Sequence, residues 1–174
     1  MRWLCVFLLV GLAAPRARAL QAGDPVPDVA APSTDGTTVR LADLKGSWVV
    51  LYFYPKSFTP GCTAEACSLR DGYGEIQKAG AKILGVSLDS LETQKEFKAK
   101  YNLPFDLLSD SKKDVAKAFD SLMVGGVLAA RKTFLLSPEG KVARVFDKVN
   151  TGSHDDEVLA ALKELQGAAA PRTE

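Results

Sequence analysis

The stretch Trp48-Val49-Val50-Leu51-Tyr52-Phe53-Tyr54-Pro55-Lys56-Ser57-Phe58-Thr59-Pro60-Gly61-Cys62-Thr63-Ala64-Glu65-Ala66-Cys67 decides the reading of this chain. The unbroken apolar and aromatic run at 48–54 has the composition of a buried strand. Proline and glycine at 55–61 end it and turn the chain, and a cysteine follows where a helix can begin. The first N–H groups of a helix lack partners and its dipole places partial positive charge there, so an anionic sulfur is at home at Cys62. A second cysteine follows five residues on. In one regular helix the two Cα atoms would stand roughly 8.6 Å apart on different faces. A disulfide needs about 7 Å or less, so the pair can close only if the first turns unwind. The spacing therefore points to a bond that forms and breaks, not to a static staple. A metal site is poorly supported: the chain has no C-x-x-C, no second cysteine pair and one histidine.

Gly23 to Pro32 is an irregular Pro/Ala-rich lead-in, and Asp35-Gly36 turns the chain between short extended pieces at 29–33 and 37–41. The helix starting at Cys62 is expected to reach Lys78, with Ala79-Gly80 ending it and Gly72 and Gly74 weakening its middle. Residues 82–88 form a second buried strand, Asp89 or Ser90 caps a helix to Lys100, and 105–108 is a short extended piece. Ser111 starts another helix toward Phe119. Pro138-Glu139-Gly140 joins strands 133–137 and 141–146 as a hairpin, and Ser153 caps a last helix to Gln166, with a loose tail from Gly167. Strands alternating with helices and then a hairpin predict an α/β fold: a mixed central sheet flanked by helices, with a short N-terminal β-hairpin.

The chain has 174 residues, 47% hydrophobic and 25% charged, enough for one domain with a single core. Met1 to Ala19 reads separately, as a secretory signal peptide in preference to an uncleaved anchor or another targeting presequence. Arg2 supplies the positive start, 3–14 the apolar stretch, and Ala17-Arg18-Ala19 the A-x-A cleavage site, leaving residues 20–174 as the domain. Cys5 would leave with it. Its removal takes away three arginines and no acid, so the charge falls from +1 to −2. Without a basic block, nucleic acid is not an expected partner, and no stable membrane association is expected after cleavage. Export to the periplasm, the cell exterior or a secretory lumen suits the cysteine usage.

Pro55-x-x-x-Thr59-x-x-Cys62 matches the active-site signature of the peroxiredoxins. The longer run Thr59-Pro60-Gly61-Cys62-Thr63-x-Glu65-Ala66-Cys67-x-x-Arg70-Asp71 resembles their bacterioferritin-comigratory/PrxQ branch, and the likeness extends from about Gly23 to Gln166. The resemblance implies a thioredoxin-like fold and a thiol peroxidase that reduces hydrogen peroxide or organic hydroperoxides. It implies Cys62 as the peroxidatic nucleophile, oxidised to a sulfenic acid, and Cys67 as the resolving cysteine that converts this to a Cys62–Cys67 disulfide. Thr59 would supply a hydroxyl to the peroxide, Pro55 would shield the sulfur, and Arg131, just before the strand at 133, would be the cation at the sulfur. A thioredoxin-type dithiol would return the electrons, no cofactor would be needed, and the chain would be a monomer or weak dimer. Glu65 and Arg70 also match the branch, although either suits a helix surface. His154, near the start of the last helix, is expected to face solvent without a role.

Two other classes compete. An exported thiol–disulfide oxidoreductase shares the fold but carries a C-x-x-C that this chain lacks. A copper-carrying assembly factor would use two cysteines and a remote histidine, for which His154 is the candidate and the cysteine spacing is wrong.

Overall fold

The computed structural model describes residues 19–169. The expected signal peptide therefore lies outside the described residues, apart from Ala19, as do Cys5 and residues 170–174.

Five strands form the central sheet in the order β5-β4-β3-β6-β7, after an N-terminal pair, β1 (Ala30–Pro32) and β2 (Thr38–Arg40), that makes the expected hairpin. β3 (Trp48–Phe53) is central. It pairs in parallel with β4 (Ala81–Ser87), which pairs in parallel with β5 (Asp106–Ser109). On its other side β3 runs antiparallel to β6 (Lys132–Leu136), and β7 (Val142–Phe146) completes the hairpin through Gly140 at φ +75°. The sheet is mixed, as the order of elements implied.

The apolar run at 48–54 divides by the two-residue period of a strand. Val50, Tyr52 and Tyr54 face one core cluster with Cys62, Ala66 and Leu69 of α1 (Pro60–Asp71), Ile76 of α2 (Tyr73–Lys78), Phe97 of α3 (Leu91–Lys100), and Val158 and Leu162 of α5 (His154–Ala169). Val49, Leu51 and Phe53 face a second cluster with Phe134, Phe119 and Val115, the last on α4 (Asp114–Ala118), beneath the N-terminal hairpin. No polar face remains on β3 because helices cover both sides.

Several boundaries differ from the sequence expectation. The 62–78 helix is two helices, α1 starting two residues earlier at Pro60 and breaking at Gly72. A Cβ on Gly72 would stand 2.5 Å from the Cβ of Asp155, so close approach of α5 requires glycine there. Asp89 does not cap α3: Ser90 does, accepting from Thr93 N at 3.2 Å. The helix expected from Ser111 begins at Asp114, because the Asp110 carboxylate reaches forward to accept from Val115 N at 3.1 Å and Ala116 N at 2.7 Å. At the other end α5 runs through Gly167 to Ala169, carried by the good helix formers around that glycine.

Candidate active site

The site forms where β3 ends and α1 starts. Pro55 is half-buried just beyond the strand, and Phe58 takes a left-handed conformation at φ +65°, a strained one for an aromatic residue. The turn is over-determined. Phe58 packs edge-on to Phe97 at 5.2 Å with the Lys100 ammonium 5.4 Å from its centroid, and Ser57 N donates to Asp89 Oδ2 at 2.7 Å. Beneath it lies a buried polar chain. Tyr54 Oη donates to Gln94 Oε1, and Gln94 Nε2 donates to Ser87 Oγ at 2.8 Å and Leu108 O at 3.1 Å.

Thr59 is the N-cap of α1 in position only, since its side chain makes no cap bond and instead donates to Lys56 O at 2.9 Å. Pro60 occupies the first turn, where a missing N–H costs nothing. The first intrahelical bond runs from Thr63 N to Thr59 O, so the N–H groups of Gly61 and Cys62 have no intrahelical acceptor.

Cys62 is buried, at 1% exposure, beneath that amide pair. Arg131, immediately before β6, brings Nη2 to 3.3 Å from Cys62 Sγ and donates through Nη1 to Glu65 Oε2. The fit is tight: a Cβ on Gly61 would lie 3.3 Å from Arg131 Nη2. Glu65 lies three residues after Cys62 on one helix face and is fully buried, so it is not the surface charge that the sequence allowed. Burial pushes its carboxyl up to about 7, with the Arg131 guanidinium pulling the other way. Burial works against charge on Arg131 as well, but Glu65 and Cys62 outweigh it and raise its pKa. Glu65 Oε1 and Tyr52 Oη are buried with no protein hydrogen-bond partner among the described residues.

Cys67 is half-buried and unbonded, one turn and a half along the same helix. Buried Cys62, Glu65, Ala66 and Leu69 make the inward stripe of α1, and Cys67 lies off it. Beside it a clasp fixes the helix to α5: Ser68 Oγ donates to Asp155 Oδ1 at 2.5 Å and accepts from Asp155 N at 3.1 Å. Arg70 is half-buried, pairs with Asp71 and donates to Tyr101 O at 3.1 Å.

His154 departs from expectation. It is fully buried, its Nε2 bonded to Thr133 Oγ1 at 2.8 Å and its Nδ1 to Glu157 Oε2 at 2.9 Å, with Phe146 edge-on. Burial lowers its pKa despite Glu157, so the neutral ring ties α5 to β6. Its sequence signal was weak because its burial and its Thr133 partner depend on the docking of α5 against β6.

The AhpC/TSA family model matches residues 22–145. The chain belongs to the AhpC/TSA family, in its Bcp/PrxQ peroxiredoxin branch. It is 42% identical to peroxiredoxin Bcp of Escherichia coli K12 over 151 residues, covering 83% of this chain and 97% of the relative. The structure of Xanthomonas campestris peroxiredoxin Q is similar, with a TM-score of 0.75 and 44% identity, covering 82% of this chain and 97% of that one. That of peroxidoxin BcpB from Mycobacterium tuberculosis gives 0.76 and 35%, over 83% and 97%. The mixed sheet of this peroxiredoxin is thus thioredoxin-like, and its chemistry is thiol peroxidase chemistry at a cysteine. Membership of this branch disfavours the disulfide-oxidoreductase and copper-carrier alternatives.

Proposed function

We propose that Cys62 is the peroxidatic cysteine, and the observation that carries this is the Arg131 guanidinium 3.3 Å from its buried sulfur. The thiolate attacks one peroxide oxygen, the O–O bond breaks, and the departing oxygen leaves as water or alcohol once protonated. Arg131 and the N–H groups of Gly61 and Cys62 offer positive potential where that oxygen develops charge. The Thr59 hydroxyl has its proton engaged by Lys56 O, which leaves its oxygen to accept from the peroxide O–H. Pro55 covers the sulfur from the strand side, and Glu65 holds Arg131 in place.

Cys67 is the resolving cysteine in this reading. Its thiolate attacks the Cys62 sulfenic sulfur, the S–O bond breaks, and water leaves after protonation; the product is a Cys62–Cys67 disulfide. Both cysteines sit on one intact helix, so α1 must unwind first. A thioredoxin-type dithiol then reduces the disulfide by exchange. The pattern of residues 1–19 supports export through the secretory route, and the chain acts as a monomer or weak dimer.

The test is stopped-flow consumption of hydrogen peroxide by the reduced protein lacking residues 1–19, with intact-mass analysis. The expected product is two hydrogens lighter than the reduced protein. Cys62→Ser abolishes the reaction and Cys67→Ser stops at a sulfenic acid. A rate no faster than a free thiol would sink the reading.

A further inference from the structure

Among the described residues, the exposed large apolar side chains are Phe58, Met123, Val124 and Val127, at 39%, 46%, 104% and 70% exposure. They are not scattered. Phe58 lies four residues before Cys62, and the other three lie in the segment that ends at Arg131, so these large exposed side chains fall in the two stretches of chain that build the site. Residues 121–130 contain no charged residue and no aromatic one.

That segment is an ordered projection. Leu122 and Ala129 form a bridge, Ala130 N donates to Ser121 O at 2.8 Å, Met123 N to Leu128 O at 3.0 Å and Gly126 N to Met123 O at 2.8 Å. Its base is anchored by buried Ser121 and Ala129, while Gly125 and Gly126 at φ +89° and +64° make the tight tip. A well-made turn that holds two valines in water costs solvation unless something covers them.

We propose that this projection, Met123 to Val127, is the docking surface for the dithiol protein that reduces the peroxiredoxin, and that Phe58, in the turn before Cys62, contributes to it. The inference rests on the two-cysteine reading above. A protein reductant must bring its own sulfur into contact with Cys62 or Cys67, and a standard interface of about 800 Å² per partner is roughly 30 Å across. Val127 lies four residues before Arg131, whose guanidinium touches Cys62 Sγ, and Phe58 four residues before Cys62, so both apolar stretches are tethered to the sulfur's own neighbours. The partner it fits has an apolar, weakly charged surface around an exposed thiol. A membrane fits less well, because interfacial anchors combine aromatic and basic side chains and the tip has neither. In the exchange, the partner's first thiolate attacks one sulfur of the Cys62–Cys67 bond and expels the other as thiolate, giving a mixed disulfide. The partner's second thiol then releases its own disulfide, so two electrons and two protons pass to the peroxiredoxin.

The experiment compares the wild type with Val124→Ser/Val127→Ser and Val124→Leu/Val127→Leu, with thermal melts as a folding control. Peroxidase turnover is driven in one arm by thioredoxin with its NADPH-dependent reductase and in the other by dithiothreitol. The expected result for the serine pair is a rise in KM for thioredoxin of about tenfold, the scale of losing one well-buried interface side chain. Dithiothreitol turnover is unchanged, and the leucine pair keeps the wild-type KM. An unchanged thioredoxin KM in the serine pair overturns the proposal, as does an equal loss with both reductants. Flotation of the wild type, but not the serine pair, with anionic phospholipid vesicles would assign the tip to a membrane and overturn it too. Wild type that turns over with dithiothreitol but not with thioredoxin would instead remove the reductant reading on which the docking rests.

Discussion

The two ends of α1 hold their cysteines in opposite ways. At the N-terminal end Cys62 is buried and touched by a cation carried at the start of the neighbouring strand β6, with a buried carboxylate one turn away holding that cation. At the C-terminal half Cys67 lies off the buried stripe, unbonded, on a stretch fastened by the Ser68–Asp155 clasp and by Arg70 to Tyr101 O, and ended by a glycine. Long-range partners thus surround the first sulfur, whereas local helix stability governs access to the second. One sulfur is prepared and the other is stored.

The comparison breaks most visibly at Arg131. Arg131→Ala should lower the second-order rate constant with hydrogen peroxide by about 10²–10³, the effect of losing one strong donor at a developing anion, as stopped-flow fluorescence would measure. It should leave the rate of disulfide formation from sulfenic acid much less affected. Equal loss in both steps would erase the distinction between the two ends.

Next in size is the pH dependence that Glu65 confers. Its carboxyl is raised in the fold by burial, to about 7 from an ordinary 4.5, so between these values the folded state binds more protons than the unfolded one. Stability must therefore fall as pH rises from about 4.5 to 7. Relative to Glu65→Gln, wild type should lose up to about 3 kcal/mol across that window in urea titrations. A flat difference would mean that the Arg131 pair keeps Glu65 ionised throughout.

Gly72→Ala should cost about 1–3 kcal/mol, since its Cβ would meet that of Asp155 at 2.5 Å, and would lower the melting temperature. The damage is confined to the Cys67 half, so the peroxide step should keep its rate. The smallest effect belongs to Ser68→Ala. Loss of a clasp of about 1 kcal/mol should speed closure of the disulfide about fivefold, read by quenched intact mass after a peroxide pulse. No change, or slower closure, would show that the clasp does not restrain Cys67.

The parts legible in the sequence were those whose causes are local. The run at 48–54, the Pro-Gly turn and the 138–140 hairpin carry their instructions within a few residues, and the structure follows them; the helix after the turn is there too, starting two residues earlier than expected. The burial of Glu65 did not announce itself because its partner is 66 residues away, although its place three residues after Cys62 already put it on the sulfur's face. His154 read as a surface residue for the same reason, its Thr133 partner lying across a helix–sheet contact. The start of α4 shifted because a carboxylate four residues upstream, at Asp110, supplies the cap. The Ser68–Asp155 clasp spans 87 residues and had no local signature at all.

The pairing of β3 with β6 also fixes when, during synthesis, this protein becomes chemically competent. The sulfur and its cation are 69 residues apart in the chain and meet only once the sheet has closed across that gap. Such a non-local contact forms late, after its loop-closure entropy has been met. A nascent chain that has exposed both thiols but not yet β6 holds its sulfur without its cation, so it should consume peroxide no faster than an ordinary cysteine until the domain is complete.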